Sequence, residues 1–329
     1  MQRIPRALSF RVFATYRVTR AGRPGPVRLR ELSMFKGSLV ALITPMREDG
    51  SVDEEALARF VDWQITEGTH GLVPVGTTGE SATLTHHEHK RVVEITVEVA
   101  KGRVPVMAGA GSNSTTEAID LVRHAKQAGA DAALVVTPYY NKPTQEGLYL
   151  HYMAIADAVE LPIYIYNIPG RSVVEMSIET MARLARHPNI VGVKDATANL
   201  VKPLQTRRLC GDDFIQLSGE DPTAVAYLAA GGAGCISVTG NIAPKLCSQM
   251  QTAWAEGRIK DAQAIQQRLY PLHEAMFVES NPVPVKYGAS LLGLTAARCR
   301  LPMAPISQAA AERVREAMTE VGLLSQSAG

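Results

Sequence analysis

The sequence predicts an α/β fold, a single (β/α)8 TIM-type barrel with additional C-terminal helices. Three observations carry this expectation. Short runs rich in β-branched and apolar residues recur eight times, longer amphipathic segments separate them, and the repeat is even, at about 30 residues per unit.

In chain order the strand runs are 39–44, 71–75, 104–108, 132–137, 162–167, 190–194, 214–218 and 234–238. Each is nearly continuous in apolar residues, the pattern of a strand buried on both faces of a parallel sheet. The segments 53–66, 86–100, 115–127 and 177–185 carry helical periodicity and have the length that a parallel crossover needs. An open doubly wound sheet is the alternative, but eight even units with no charged edge strand favour closure. After the eighth strand, 242–254 and 261–276 read as helices, followed by two more around 285–292 and 306–321. One of these completes the barrel and the surplus forms an extension of the same domain, so residues 34–329 are expected to be one unit.

Residues 1–33 differ in texture, with eight Arg against one acid, Glu31. Three readings compete for this basic extension: a start assigned upstream of Met34, a targeting peptide, and a disordered or accessory arm. The remaining chain has 26 basic and 31 acidic residues, and this mildly acidic body gives no reason to expect nucleic acid as a partner. No apolar run reaches the roughly 20 residues of a membrane helix. The four cysteines lie far apart and lack thiolate metal spacing, which suits a reducing, cytoplasmic setting.

Chemistry in such a barrel is expected where loops converge at the carboxyl ends of the strands. The unusual residues lie there: Gly76-Thr77-Thr78-Gly79-Glu80-Ser81 after strand two, Gly109-Ala110-Gly111-Ser112-Asn113 after strand three, and Tyr139-Tyr140-Asn141-Lys142-Pro143 after strand four. Strand five ends in Tyr166-Asn167-Ile168-Pro169-Gly170-Arg171 and strand six in Lys194-Asp195, and Gly219-Glu220-Asp221 and Gly240-Asn241 complete the ring. Lys194 is the pivotal residue, because a neutral amine at the mouth of an apolar strand can add to a ketone carbon and form an imine. A plain ion pair with Asp195 is the competing reading, weakened because adjacent strand residues face opposite ways. Thr77 and Thr78 offer hydroxyls and amides that can surround a carboxylate without adding charge. Tyr166 and Tyr140 stand at strand ends as proton-transfer candidates, or else as loop-packing aromatics. Arg171 presents a planar fork to an acidic substrate, or is a surface arginine. His86 and His89 lack a third ligand, so no metal is expected.

With these motifs in view, residues 35–293 resemble the 4-hydroxy-tetrahydrodipicolinate synthase family within the pyruvate-dependent class I aldolases. The resemblance implies a Schiff base between Lys194 and pyruvate, with Thr78 on the pyruvate carboxylate and no cofactor. It assigns Tyr166, Thr77 and Tyr140 to a proton relay, with Tyr140 reaching into a neighbouring subunit. Arg171 would recognise L-aspartate 4-semialdehyde, Gly192 would line the lysine side of the pocket, and Ile236 would position the relay through its backbone. The resemblance further implies a homo-oligomer, a dimer of dimers, and feedback by L-lysine at Ser81, Ala82, His86, His89, Asn113, Glu117 and Tyr139. Neuraminate lyase is the near rival, but the Thr77-Thr78 pair and Arg171 favour the synthase. A catalytically idle barrel is the third reading, opposed by the intact relay residues.

Overall fold

The computed structural model describes residues 35–325; the basic extension 1–33 lies outside the described residues. Eight parallel strands form one sheet: β1 (Gly37–Ala41), β2 (Gly71–Val73), β3 (Met107–Gly109), β4 (Ala132–Val136), β5 (Ile163–Asn167), β6 (Ile190–Asp195), β7 (Ile215–Ser218) and β8 (Gly234–Ser237). β1 pairs with both β2 and β8, and pairing runs on from β8 back to β3. The last seam, between β2 and β3, is held by a parallel bridge of Leu72 with Val106 and by bonds from Leu72 N–H to the Pro105 carbonyl and Gly109 N–H to the Pro74 carbonyl. The sheet is therefore a nearly closed barrel.

Helices α1 (Glu54–Thr66), α2 (His86–Ala100), α3 (Thr115–Ala128), α4 (Gln145–Ala158), α5 (Ile178–Leu184), α6 (Lys202–Cys210), α7 (Ala224–Ala229) and α8 (Pro244–Ala255) follow the eight strands in turn. Several begin on a side-chain cap that satisfies an otherwise orphaned backbone N–H. Asp53 caps α1, Thr85 forms a reciprocal capping box with Glu88 at the start of α2, and Ser114, Thr144 and Ser177 cap α3, α4 and α5. Three further helices, α9 (Ile259–Ala275), α10 (Val283–Leu291) and α11 (Gln308–Val321), form the C-terminal appendage.

Strand periodicity divides the apolar residues between two cores. Ile163, Ile165 and Val193 point outward into the layer between sheet and helices. Tyr164, Tyr166, Leu39, Leu217 and Ile236 point inward and fill the barrel. The first strand lies earlier than the expected 39–44, at Gly37–Ala41, most others differ by a residue at one end, and in β2 and β3 proline is the reason for the larger change. Strand 71–75 ends at Val73 because Pro74 has no N–H to donate and Val75 turns into the left-handed region at φ 48°. Strand 104–108 begins only at Met107 because Pro105 interrupts its ladder, leaving Val106 an isolated bridge.

Candidate active site

β6 carries Lys194 to the mouth of the barrel. Its Cα partners are Tyr166 on β5 and Leu217 on β7, both members of the inward-facing cluster, so its side chain shares the interior face. Lys194 is 6% exposed and its Nζ lies 4.3 Å from the centre of the Tyr166 ring. Asp195, the next residue, faces away and accepts from the Thr197 N–H at 2.9 Å; burial pushes its carboxyl above the usual range. Two glycines make room for this arrangement. A Cβ at Gly192 would sit 2.4 Å from the Ile215 carbonyl oxygen and 2.6 Å from the Tyr164 ring. A Cβ at Gly219, on the loop after β7, would lie 2.7 Å from the Ala196 Cβ and 3.1 Å from the Lys194 Cε. Glu220 follows at the same mouth. Burial raises its carboxyl, Asp221 adds to the rise and Lys194 opposes it.

A cavity of about 260 Å³ opens on the barrel mouth, lined by Thr77, Val136, Ile168, Arg171 and Asn281, among others. Val136 and Ile168 pack against the interior cluster that contains Tyr166, which ties the cavity to the lysine end of the barrel. Arg171 stands exposed on a single helical turn, Pro169–Ser172, entered directly from β5. Thr78 is buried and does not itself line the cavity; its Oγ1 accepts from Asn281 Nδ2 at 3.0 Å, a contact that reaches toward the C-terminal appendage. Ile236 is fully buried on β8, in register with Leu39.

Tyr140 is different. It is 89% exposed, takes a left-handed φ of 71°, and does not line the cavity of its own chain. The structure thus unites Lys194 and Tyr166 within one chain and leaves Tyr140 projecting from its surface.

A second polar group lies alongside. His86 Nε2 is 2.6 Å from one carboxylate oxygen of Glu117, and the Ser112 hydroxyl donates to the other. These hydrogen bonds, Ser112's foremost, hold the Glu117 carboxyl below the usual range against an opposing effect of burial. Asn113 donates to the Tyr139 carbonyl at 3.2 Å, while Ser81, Ala82 and Tyr139 line the same cavity as Thr77. His89 is buried on α2, and desolvation, with His124 and His86 nearby, depresses its imidazole to about 4. Sequence reasoning did not single out Ser112, Asn281 or Gly219. Ser112 and Gly219 were at least in the loops that it flagged, whereas Asn281 lies outside every flagged motif.

A parallel eight-stranded barrel with a buried lysine at the mouth of β6 is the architecture of an aldolase-type lyase. The family model for the dihydrodipicolinate synthetase family matches residues 34–321, and the chain belongs to that family. It is 68% identical over 292 residues to the 4-hydroxy-tetrahydrodipicolinate synthase of Acidiphilium cryptum, covering 89% of this chain and all of the relative. The corresponding enzyme of Rhodospirillum centenum is 66% identical with the same coverage. Among solved structures, the chloride-inhibited dihydrodipicolinate synthase of Acinetobacter baumannii, complexed with pyruvate, is 46% identical with a TM-score of 0.86 over 88% of this chain and 99% of that one. The enzyme of Cyanidioschyzon merolae, with lysine bound, gives a TM-score of 0.86 at 38% identity, over 88% and 99% of the two chains.

Proposed function

We propose that this enzyme condenses pyruvate with L-aspartate 4-semialdehyde through a Schiff base on Lys194, giving 4-hydroxy-tetrahydrodipicolinate for lysine and diaminopimelate synthesis. The observation that carries the reading is the burial of Lys194 on the interior face against Tyr166, whose cluster also packs Val136 and Ile168 of the cavity edged by Thr77 and Arg171.

The Lys194 amine adds to the ketone carbon of pyruvate and water leaves, forming the imine; loss of a methyl proton gives the enamine. The enamine carbon then attacks the aldehyde of the second substrate. That substrate's amine closes onto the former ketone carbon and expels Lys194, so one covalent link serves both bond formation and release. Thr78 holds the pyruvate carboxylate, and Tyr166, Thr77 and Tyr140 carry protons. The exposure of Tyr140 supports its service in a neighbouring copy, and hence at least a dimer; the pairing of two dimers rests on the family resemblance. Gly192 lets the lysine side of the pocket pack on Tyr164, and Ile236 fixes the β8 wall. L-lysine fits the group made by Ser81, Ala82, His86, His89, Asn113, Glu117 and Tyr139, where the Glu117 carboxylate meets an ammonium; the lysine-bound relative supports this assignment. The reaction as written requires no cofactor or metal, and we assign the enzyme to the cytoplasm.

A coupled turnover assay tests the choice of acceptor. Turnover with pyruvate and L-aspartate 4-semialdehyde, and none with pyruvate and N-acetylmannosamine, is expected; the reverse preference would overturn the assignment.

A further inference from the structure

Lys286 lies on α10, in the appendage, and its side chain is wholly buried. Its ammonium donates to the Glu80 carboxylate at 2.7 Å and to the Thr44 carbonyl at 2.9 Å. The other Glu80 oxygen accepts from the Arg300 backbone N–H at 2.9 Å. Glu80 takes a left-handed φ of 57°, which a residue with a Cβ adopts only when its surroundings hold it there. It closes the loop that carries Thr77 and Thr78, and several neighbouring contacts fall on this loop or on the turn that follows it. The Thr44 hydroxyl donates to the Gly79 carbonyl at 2.7 Å, Asn281 donates to the Thr78 hydroxyl, and the Arg300 guanidinium donates to the Thr83 carbonyl at 2.7 Å.

A buried ion pair is weak as a source of stability, because desolvating two charges consumes much of what their attraction returns. In some proteins such a pair instead fixes geometry, since both ends must meet at one distance and direction. We propose that the appendage positions the pyruvate-binding loop, with Lys286 acting through Glu80 and Asn281 acting through the Thr78 hydroxyl. Lys286 is a positioning residue that stands away from the cavity, whereas Asn281 also lines it. The inference rests on the reading of Thr78 as the pyruvate carboxylate ligand. It gives the helices beyond the eight barrel units a role in the reaction itself.

The test compares three variants by steady-state kinetics and thermal melting. In the double variant Glu80→Gln/Lys286→Met no buried charge is left unpaired, so folding and melting temperature should be close to the parent. Its KM for pyruvate is expected to rise roughly tenfold or more while KM for the semialdehyde changes little. A folded double variant with an unaltered pyruvate KM overturns the inference, because a purely structural pair would shift melting and leave that constant alone. If the double variant does not fold, Glu80→Gln/Lys286→Leu, which likewise leaves no buried charge unpaired, decides in the same way. Thr78→Ala separates the two levels. A raised pyruvate KM there with none in the deciding variant sinks the positioning role alone, whereas an unaltered value in Thr78→Ala sinks the carboxylate assignment and the inference with it.

Discussion

Lys194 owes its setting to residues that do nothing chemical. Gly219 leaves the space into which the lysine stem fits, and a methyl there would stand 3.1 Å from Cε and 2.7 Å from the Ala196 side chain. Gly219→Ala should therefore displace the amine by a few tenths of an ångström and slow imine formation roughly tenfold without unfolding the chain; the rate of pyruvate trapping, read beside circular dichroism, checks this. Arg171 makes a cleaner separation. It is exposed on the cavity rim and is not the nucleophile, so Arg171→Ala should raise KM for the semialdehyde by about 10- to 100-fold, the loss of a charge-assisted pair, while pyruvate trapping is unchanged. Lys194 was legible because a long cation ending the apolar run Ile190-Val191-Gly192-Val193 has no packing reason to be there. Asn281 was not, since an Asn-Pro pair reads locally as a turn and its partner Thr78 lies 203 positions away. Lys286 did leave a signal, a lone charge in the apolar helix Val283–Leu291, which in a folded chain calls for a buried partner.

At the level of elements, the sequence pattern located the repeat well and its edges less well. Strand registers β4 to β6 follow the alternation of Tyr164 and Tyr166 inward with Ile163 and Ile165 outward, a pattern visible in the residues themselves. Strands β2 and β3 were misjudged by a few residues because apolar composition extends through Pro74 and Pro105, where the backbone cannot continue its ladder. The α2 and α3 helices present His86 and Glu117 to one another across 31 positions, a meeting that periodicity alone does not reveal. Their contact defines a test of feedback. Initial rates at saturating pyruvate should fall with increasing L-lysine in the parent enzyme, and Glu117→Ala should need at least tenfold more lysine for the same inhibition, since the ammonium loses its carboxylate. Equal inhibition of both proteins would remove Glu117 from the site.

The whole molecule buries several histidines, and this sets its response to acid. Burial depresses His151 to about 4, and burial aided by His124 and His86 does the same to His89, although Glu117 opposes it. Both therefore fold in the neutral form. Because their folded values lie below the unfolded value of about 6.5, the unfolded chain binds more protons between these limits, so their stabilising contribution is complete above 6.5 and is lost as pH falls toward 4. Each accounts for at most about 3 kcal/mol. Melting temperature should fall across this window, and His151→Asn should flatten the fall; a slope that the substitution leaves unchanged would exclude His151 as a contributor. Barrel closure and two cores bury Lys194 on β6, the C-terminal appendage holds the loop of Thr78 and Glu80, and the proposed chemistry rests on the Lys194 amine. Borohydride reduction of the intact protein with pyruvate, followed by mass measurement and peptide mapping, tests that claim most directly. A single pyruvate-derived adduct on Lys194, absent in Lys194→Ala, is the expected result; an adduct on another residue, or one that persists in Lys194→Ala, would contradict it.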